Sequence, residues 1–251
     1  MANLISGRIL VTGGTSGLGR AMAAALIKAG AEVGITSRTR ARAETVAAEL
    51  GAGGLGIEMD VRDPRSVQAG VGEAFARLGG LDMLVSNAGI GMRTVNPRFL
   101  SDSQPFWEVT PDGFRDVLET KVTGSFLVAR DVVPRMLAAG GGRIVSISMN
   151  EQTMIRRGFV PYGPSGAGVE ALAQVMAADL AETPVRANIL LPGGATATGM
   201  IPDDISPETR AGLHDPGVMG RPIVWLASAE ADGVHGERIV ATEFEEWLAQ
   251  R

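Results

Sequence analysis

The stretch that decides the fold lies near the amino terminus and reads Thr12-Gly13-Gly14-Thr15-Ser16-Gly17-Leu18-Gly19-Arg20. The apolar run Arg8–Thr12 before it predicts a buried β-strand, and the pattern Gly17–Ala29 after it predicts a helix. Glycines between a strand and a helix allow a tight turn in which the backbone approaches a phosphate at the helix N-terminus. Because of this context, the pattern predicts a phosphate-binding turn more specifically than a bare glycine triplet does.

Short apolar runs typical of strands alternate with longer helical patterns along the chain. The predicted strands are Arg8–Thr12, Glu32–Ser37, Gly54–Asp60, Asp82–Ser86, Gly142–Ser148, Arg186–Leu191 and Arg238–Ala241. The predicted helices are Gly17–Ala29, Arg40–Leu50, Pro64–Leu78, Pro111–Ala139, Pro161–Ala181 and Val218–Ala227. This alternation predicts an α/β fold with one parallel sheet of about seven strands covered by helices, in a single domain covering residues 1–251.

The composition excludes several kinds of site. The chain has 251 residues, no Cys, two His and a net charge of −5. Without cysteine there are no disulfides or thiolate metal sites, and two histidines leave little room for a His-rich site, so we expect no metal. The negative charge argues against broad nucleic-acid binding, and no apolar run approaches the ~18 residues that span a bilayer. Met1–Arg8 lacks the basic-then-apolar pattern of a secretory signal. We therefore expect a cytoplasmic protein without nucleic-acid or membrane partners.

Phenol and amine side chains are rare in this chain. Tyr162 is the only tyrosine, and Lys28 and Lys121 are the only lysines. The other basic residues are arginines, which do not lose a proton in this pH range. A reaction that needs a phenol or an amine therefore has very few candidates.

Two predicted connections, at residues 90–110 and 193–217, are longer than the ~2–6 residues usual in α/β loops. Both follow the carboxyl end of a strand, where ligands bind in open α/β sheets. The first carries the aromatic residues Phe99, Phe106 and Trp107. We interpret both connections as candidate substrate loops. The alternative is a pair of surface excursions with a small apolar cluster of their own.

The end of the second predicted strand bears on the choice of cofactor. In dinucleotide folds, the residue that meets the adenosine ribose lies about twenty residues beyond the last glycine. Ser37 and Arg38 stand there, and no carboxylate is available to accept from the ribose hydroxyls. Because serine and arginine can hold a 2′-phosphate, the sequence favours NADP (NADPH) over NAD. The alternative is that Arg38 is simply solvated, as we expect of the nearby Arg40 and Arg42.

Further motifs follow the glycine-rich turn in order. They are Asp60-Val61, Asn87-Ala88-Gly89, Gly142-Arg143-Ile144-Val145, Tyr162 at a helix start, Pro192-Gly193 and Trp225-Leu226-Ala227-Ser228. With these motifs the chain resembles the short-chain dehydrogenase/reductase family over nearly its whole length. The resemblance implies a Rossmann-type doubly wound parallel sheet with helices on both faces, and hydride transfer between a nicotinamide and a carbonyl or alcohol. It also implies cofactor contacts from Gly13, Thr15, Ser16, Gly17, Leu18, Gly19, Ser37, Arg38, Asp60, Val61, Asn87, Ala88, Gly89, Tyr162, Pro192 and Gly193.

The catalytic positions depart from the family pattern, in which an asparagine and a serine act with a Tyr-x-x-x-Lys pair. Here Gly166 stands at the lysine position, Met149 at the serine position and Lys121 at the asparagine position. A lysine ammonium lowers the tyrosine pKa from about 10 towards working pH, and glycine cannot do this. Our hypothesis is that Lys121 supplies that charge to Tyr162. The alternative is a surface or helix-cap lysine in a protein that has lost the activity.

The missing serine hydroxyl has no evident replacement. The nearest polar candidates on the following loop are Asn150, Glu151, Gln152 and Thr153, each of which is also typical of ordinary loop surface. Ser148 is a poor substitute because alternate strand residues face opposite ways. Met149, Asn150 and Met154 are predicted to line the substrate pocket.

Three functions fit these observations. The first is an NADP(H)-dependent oxidoreductase that acts on a small carbonyl or alcohol through a rearranged proton relay. The second is a non-redox hydratase, lyase or epimerase that uses Tyr162 as acid or base, and the third is a dinucleotide-binding protein without catalysis. The resemblance further implies a homodimer or homotetramer assembled through the predicted helices Pro161–Ala181 and Pro111–Ala139.

Overall fold

The computed structural model describes residues 7–251, so the N-terminal pattern of Met1–Arg8 lies almost wholly outside the described residues. Within them, seven strands form one sheet: β1 Arg8–Val11, β2 Glu32–Ser37, β3 Gly54–Glu58, β4 Met83–Ser86, β5 Gly142–Ile147, β6 Val185–Leu191 and β7 Arg238–Val240. The helices are α1 Gly17–Lys28, α2 Arg40–Leu50, α3 Pro64–Leu78, α4 Pro111–Leu118, α5 Gly124–Ala138, α6 Glu151–Met154, α7 Tyr162–Leu180, α8 Pro207–Ala211, α9 Gly220–Leu226 and α10 Phe244–Ala249. The predicted doubly wound parallel sheet is confirmed.

The strand order β3-β2-β1-β4-β5-β6-β7 reverses direction between β1 and β4. These two strands are neighbours and pair in parallel, with Val11 opposite Val85. Successive residues of β1 enter different cores: Ile9 and Val11 pack on one face of the sheet, and Leu10 packs on the other. Burial on both faces explains why β1 is a continuous apolar run. The reversal leaves a crevice at the carboxyl ends of β1 and β4, where ligands bind in such sheets.

A buried threonine joins the two strands at this crevice. The Thr12 hydroxyl accepts hydrogen bonds from the backbone N–H groups of Asn87 (2.9 Å) and Ala88 (3.0 Å) and donates to the carbonyl of Val85 (3.4 Å). In return, the Asn87 side-chain amide donates to the carbonyls of Thr12 (2.9 Å) and Gly13 (3.3 Å). The glycine-rich turn and the turn after β4 are therefore held as one unit.

The prediction of one continuous helix over Pro111–Ala139 is wrong. A π-helical turn, Glu119–Thr123, separates α4 from α5 and carries Lys121. The Ser125 hydroxyl donates to the Lys121 carbonyl (2.6 Å), and Ser86 on β4 donates to Ser125 (3.1 Å). Apolar periodicity does not reveal a π turn, because the residues on either side stay helical. Such turns are rare and occur frequently at functional sites.

Other boundaries differ from the predictions by one or two residues. The third strand ends at Glu58, so Asp60 and Val61 lie in the turn that follows it. The C-terminal helix α10 was not predicted, and its Phe244 and Trp247 pack on Trp225 with ring centroids 5.7 and 5.5 Å away.

In the described part of the chain, no helix combines the length and apolarity needed to cross a membrane.

The Thr12 hydroxyl generates a stability prediction. Thr12→Val keeps the shape of a side chain that is 1% exposed but leaves two half-buried N–H groups without their acceptor. We expect the free energy of unfolding to fall by about 1–3 kcal/mol, measured by urea titration. Thr45→Val, at an exposed position of α2, is the control and should change it by less than about 0.5 kcal/mol. Equal effects of the two substitutions would contradict the role given to Thr12.

Candidate active site

The glycine-rich turn has the geometry of an anion cradle. Gly13 and Gly17 adopt φ values of +63° and +53°, which side chains disfavour. A Cβ on Gly14 would lie 2.7 Å from the Cβ of Ile35, so the turn packs directly against β2. The Ser16 side chain makes no capping hydrogen bond to α1, which leaves the first N–H groups of that helix free to bind an anion. The turn therefore fits the pyrophosphate of a dinucleotide.

Three arginines near the end of β2 have different surroundings. Arg38 is exposed directly after the half-buried Ser37. Arg40 is held away from the turn by Glu73, with two hydrogen bonds of 2.8 and 2.7 Å. Arg42 reaches back to the glycine-rich turn, where its Nε donates to the Thr15 hydroxyl (3.3 Å). The expectation that Arg42 is merely solvated is therefore wrong, and sequence alone could not show that α2 directs it towards the turn.

Asp60 lies in the turn after β3 and is engaged by Arg62. The guanidinium of Arg62 binds both carboxylate oxygens, at 3.0 and 2.7 Å. These hydrogen bonds hold the pKa of Asp60 below its usual range. Val61 beside it is buried against Gly124 at the start of α5. The ionised carboxylate is thus fixed in position at the edge of the crevice.

Lys121 is a buried residue, so the alternative of a surface lysine is wrong. Its side chain is 9% exposed, and its stem crosses the turn after β4, where a Cβ on Gly89 would lie 3.1 Å from Lys121 Cγ. The Lys121 Nζ atom lies 4.9 Å from the centroid of the Tyr162 ring. Within residues 7–251, Nζ has no hydrogen bond and no carboxylate partner. The structure thus brings together the two rare side chains that the sequence singled out.

Burial dominates the electrostatics of this pair. It lowers the pKa of Lys121 to about 8 and raises the pKa of Tyr162 above its usual value. The shift of the tyrosine is opposite to the one expected from a neighbouring ammonium, because Nζ lies over the ring face and not at the hydroxyl. The Tyr162 hydroxyl itself contacts the sulfur of Met200 at 3.9 Å.

The residues at the serine and lysine positions pack against each other. Met149 is buried, and a Cβ on Gly166 would lie 2.6 Å from Met149 Cε and 2.7 Å from its sulfur. The thioether thus occupies the space into which a side chain at position 166 would extend. The adjacent Ser165 is fully buried and donates to the carbonyl of Tyr162 (2.7 Å). Two departures that are separate in sequence are one packing unit in the fold.

The two long connections meet at Tyr162. From the first, Phe99 packs edge-to-face on Phe159 with centroids 5.4 Å apart, in a cluster that includes Met92 and Tyr162. The second contributes Met200 at the tyrosine hydroxyl.

One arginine joins these connections to each other. Arg93 donates to the carbonyls of Gly199 (3.1 Å) and Ile201 (3.0 Å) and pairs with Asp203 (3.1 Å). Phe106 and Trp107 are exposed, and their rings pack edge-to-face with centroids 5.2 Å apart.

The three predicted pocket residues make different contacts. Met149 is buried under Gly166, and the Met154 backbone packs on Gly163. The Asn150 side chain caps α6 by accepting from the Thr153 N–H (2.9 Å). Asn150 also belongs to a separate polar cleft of about 320 Å³, whose lining is Asn150, Glu151, Gln152, Leu191, Gly193, Arg238, Val240 and Glu243.

Two remaining predicted positions lie at the ends of β5 and β6. The Ser148 hydroxyl is buried without a hydrogen-bond partner among the described residues, so it is not presented to the cleft. Gly193, directly after Pro192, has φ of +98° and packs against Thr242. The turn Pro192–Gly193 leads from β6 into the second long connection, which then passes over the glycine-rich turn, where Thr198 contacts Gly17.

Comparison with known proteins decides the family. The family model described as short chain dehydrogenase matches residues 8–208. The chain belongs to the short-chain dehydrogenase family. The 3-oxoacyl-[acyl-carrier-protein] reductase of Salmonella typhimurium is 30% identical over 241 residues, which cover 92% of this chain and 93% of the relative. The 2,5-dichloro-2,5-cyclohexadiene-1,4-diol dehydrogenase of Sphingobium indicum is 30% identical over 248 residues, 94% of this chain and 95% of the relative.

Solved structures show the same relationship. The 3-ketoacyl-(acyl-carrier-protein) reductase from Brucella melitensis, complexed with NADH, superposes with a TM-score of 0.82 at 27% identity, covering 94% of this chain and 96% of that one. Short-chain dehydrogenase relatives of this chain are thus oxidoreductases, and one of them holds a nicotinamide dinucleotide. That likeness supports a nicotinamide dinucleotide as the cofactor of this chain.

The contact between Met149 and Gly166 generates a coupling prediction. Gly166→Ala removes the helix penalty of glycine, about 1 kcal/mol, but forces the Met149 thioether to move. We expect no gain in the wild-type chain and stabilisation by about 1 kcal/mol in a Met149→Ala background, measured by urea unfolding.

Gly72→Ala in α3 is the matched control, because its new Cβ meets nothing within 4 Å. It should stabilise both backgrounds by about the same amount, roughly 1 kcal/mol. Additive effects of the changes at positions 149 and 166 would rule out the packing unit.

Proposed function

We propose that this chain is an NADP(H)-dependent oxidoreductase that interconverts a carbonyl and an alcohol, with Tyr162 as the proton donor and acceptor. The observation that carries the proposal is the position of Tyr162. It lies at the junction of the two long connections, beside Lys121 and the turn that ends at Gly89.

The cofactor positions follow from the cradle. The backbone from Gly13 to Gly19 would hold the pyrophosphate, and Asp60 and Val61 would contact the adenine. Asn87, Ala88 and Gly89 would line the middle of the dinucleotide, and Pro192 and Gly193 its nicotinamide end. A bound nicotinamide supplies or accepts the hydride.

The choice of NADP depends on the end of β2. The Brucella relative is complexed with NADH, so family likeness leaves this choice to the local residues. Here Ser37 offers a hydroxyl, Arg38 an exposed guanidinium, and Arg42 a second guanidinium directed at Thr15. These groups match a 2′-phosphate by charge and hydrogen bonding, whereas ribose hydroxyls require an acceptor.

The relay we propose uses Lys121 in place of the lysine that Gly166 lacks. At 4.9 Å from the ring centroid, an ammonium over the π face stabilises negative charge as it develops on the phenol. Burial raises the pKa of Tyr162 and therefore disfavours the phenolate. The ammonium offsets part of this cost. The Met149 thioether cannot donate to the substrate oxygen, which leaves Tyr162 as the donor in this place.

The substrate is a small carbonyl compound or the corresponding alcohol. Tyr162 packs against an apolar cluster of Met92, Phe99 and Phe159, and its hydroxyl contacts the sulfur of Met200. One relative is named a 3-oxoacyl-[acyl-carrier-protein] reductase and another a cyclohexadiene-diol dehydrogenase. A 3-oxoacyl thioester is therefore the first substrate class to test.

A homodimer or homotetramer is part of the proposal. Large apolar side chains are exposed on the helices from which the sequence predicted assembly: Phe114 on α4, Phe126 and Leu137 on α5, and Val175 on α7. Burying them against a second copy would remove apolar surface from water. These helices stand next to the turn that carries Lys121, so assembly would also support the site.

The proposed cofactor preference predicts the effect of removing Arg38. Arg38→Ala should weaken NADPH binding by about tenfold or more, the value of a charged hydrogen bond, while NADH binding changes little. The dissociation constants follow from titrations of cofactor fluorescence. Arg40→Ala is the matched control, because Glu73 already holds that guanidinium, and it should leave the ratio unchanged. Equal losses for NADPH and NADH in Arg38→Ala would count against the 2′-phosphate contact.

The proposed relay predicts distinct results at Tyr162 and Lys121. With an acetoacetyl thioester and NADPH, Tyr162→Phe should lower kcat by about a hundredfold or more and leave NADPH affinity unchanged. Lys121→Met should lower kcat as well, whereas Lys121→Arg keeps the cation and part of the rate.

The relay also predicts a pH dependence. Because the pKa of Lys121 is about 8, the wild-type rate of reduction should fall as pH rises through that value and the ammonium is lost. In Lys121→Arg this fall should move to higher pH, since a guanidinium stays charged. If the Tyr162→Phe variant instead turned over at the rate of the wild type, a dinucleotide-binding protein without catalysis would be favoured. Turnover of substrate without oxidation of the cofactor would favour the non-redox enzyme.

A further inference from the structure

The hydroxyl of Tyr162 is in contact with a sulfur atom of the same chain. Its hydrogen-bond partner among residues 7–251 is Met200 on the second long connection, with the oxygen 3.9 Å from the sulfur. A thioether is a weak acceptor, so a carbonyl or hydroxyl oxygen in this position would bind the phenol more strongly. Met200 therefore occupies the position at which a substrate oxygen has to meet Tyr162 in the proposed reaction.

The first long connection accommodates the Met200 side chain by means of a glycine. A Cβ on Gly91 would lie 3.1 Å from Met200 Cγ and 3.2 Å from its Cβ and its sulfur. The methionine thus fills the space that a side chain at position 91 would need. Gly91 and Met200 interlock, and this contact directs the sulfur to the hydroxyl of Tyr162.

One guanidinium holds the main chain on both sides of Met200. Arg93 Nη1 donates to the carbonyls of Gly199 (3.1 Å) and Ile201 (3.0 Å), which are the residues directly before and after the methionine. Hydrogen bonds from a charged donor are stronger than those between neutral groups. The ion pair of Arg93 with Asp203 adds little, because the carboxylate is 90% exposed. The two carbonyl contacts therefore fix Met200 over Tyr162.

The same segment also reaches the glycine-rich turn. Thr198 packs on Gly17, where a Cβ would lie 3.2 Å from the threonine methyl group. The Thr198 hydroxyl accepts from the N–H of Met200 (3.3 Å). Residues 198–200 thus connect the turn after β1 to the hydroxyl of Tyr162, and a displacement of Met200 would also be felt at that turn.

We propose that Met200 blocks the hydroxyl of Tyr162, that Arg93 holds it there, and that the substrate oxygen must displace its sulfur before proton transfer. This inference rests on the proposed function and adds a residue that controls access to it. Displacement makes substrate binding a competition, so the apparent affinity falls with the fraction of molecules in which Met200 is in place. Loss of the block should therefore lower KM and leave kcat nearly unchanged.

The only tyrosine of the chain makes the block measurable without substrate. Tetranitromethane nitrates phenols, and this chain has no cysteine to compete for the reagent. The full-length protein is treated at pH 8, and peptide mass spectrometry follows the nitrated fraction at Tyr162. We expect nitration of Met200→Ala to be about tenfold faster than nitration of the wild type, because the hydroxyl no longer has to be uncovered first.

The neighbouring Ile201→Ala is the matched control, since it keeps the carbonyl that Arg93 binds and leaves Met200 in place. It should be nitrated at the wild-type rate. Circular dichroism verifies that each variant is folded. Equal nitration rates for Met200→Ala and the wild type would overturn the block.

The role of Arg93 is tested in the same way. Arg93→Ala frees both carbonyls and should speed nitration of Tyr162 several-fold. Its matched control is Arg98→Ala, which removes an exposed arginine of the same connection that pairs with Asp102 and should leave the rate unchanged. An Arg93→Ala rate equal to that of Arg98→Ala would show that Arg93 does not hold Met200.

Kinetics with the acetoacetyl thioester and NADPH separate the block from the proposed function. Met200→Ala should lower KM several-fold, with kcat close to that of the wild type. A higher KM would make Met200 a contact that binds substrate and would overturn the block. Faster nitration of Met200→Ala in a chain that reduces no thioester would support the block and defeat the reductase. Normal reduction by the wild type, with nitration and KM unchanged in Met200→Ala, would do the reverse.

Discussion

The site depends on the reversal of the strand order between β1 and β4. Successive strands are added to the sheet on one side of β1 and then on the other side, from β4 onwards, which opens a crevice at the carboxyl ends of β1 and β4. The two turns that border this crevice must be fixed in relation to each other. In this protein the Thr12 hydroxyl fixes them by accepting the N–H groups of two residues after β4. The glycine-rich turn, the Asn87 turn and the stem of Lys121 over Gly89 all take their positions from that junction.

The surroundings of Tyr162 combine close packing with one buried cation. Met149 fills the space over Gly166, and neither residue brings a charge or a strong donor. The charge lies instead in the π-helical turn, where Lys121 approaches Tyr162 over the face of its ring. A flexible stem makes this possible, because it carries an ammonium to the phenol from a different helix. The cost is desolvation, seen in the lowered pKa of Lys121 and the raised pKa of Tyr162.

Much of this arrangement follows from local sequence. The strand and helix sequence, the turn after β1 and the short turn after β4 were predictable because burial on both faces and glycine geometry leave direct marks on the residues. Tyr162 and Lys121 could be singled out because the chain has one tyrosine and two lysines. The pocket of Met149, Asn150 and Met154 stays a prediction, and the contacts by which Asn150 caps α6 and Met149 packs under Gly166 could not be read from the loop sequence.

The sequence by itself determined the doubly wound sheet, the glycine-rich turn after β1 and the scarcity of phenol and amine side chains. These properties depend on residue type and on periodicity within single elements. Only the tertiary structure decided that Lys121 is buried, that it meets the ring of Tyr162 and not its hydroxyl, that Arg42 turns back to Thr15, and that Met149 and Gly166 pack as a pair. Each of these facts joins residues from different elements, and a π-helical turn or a packed thioether has no signature in the local pattern.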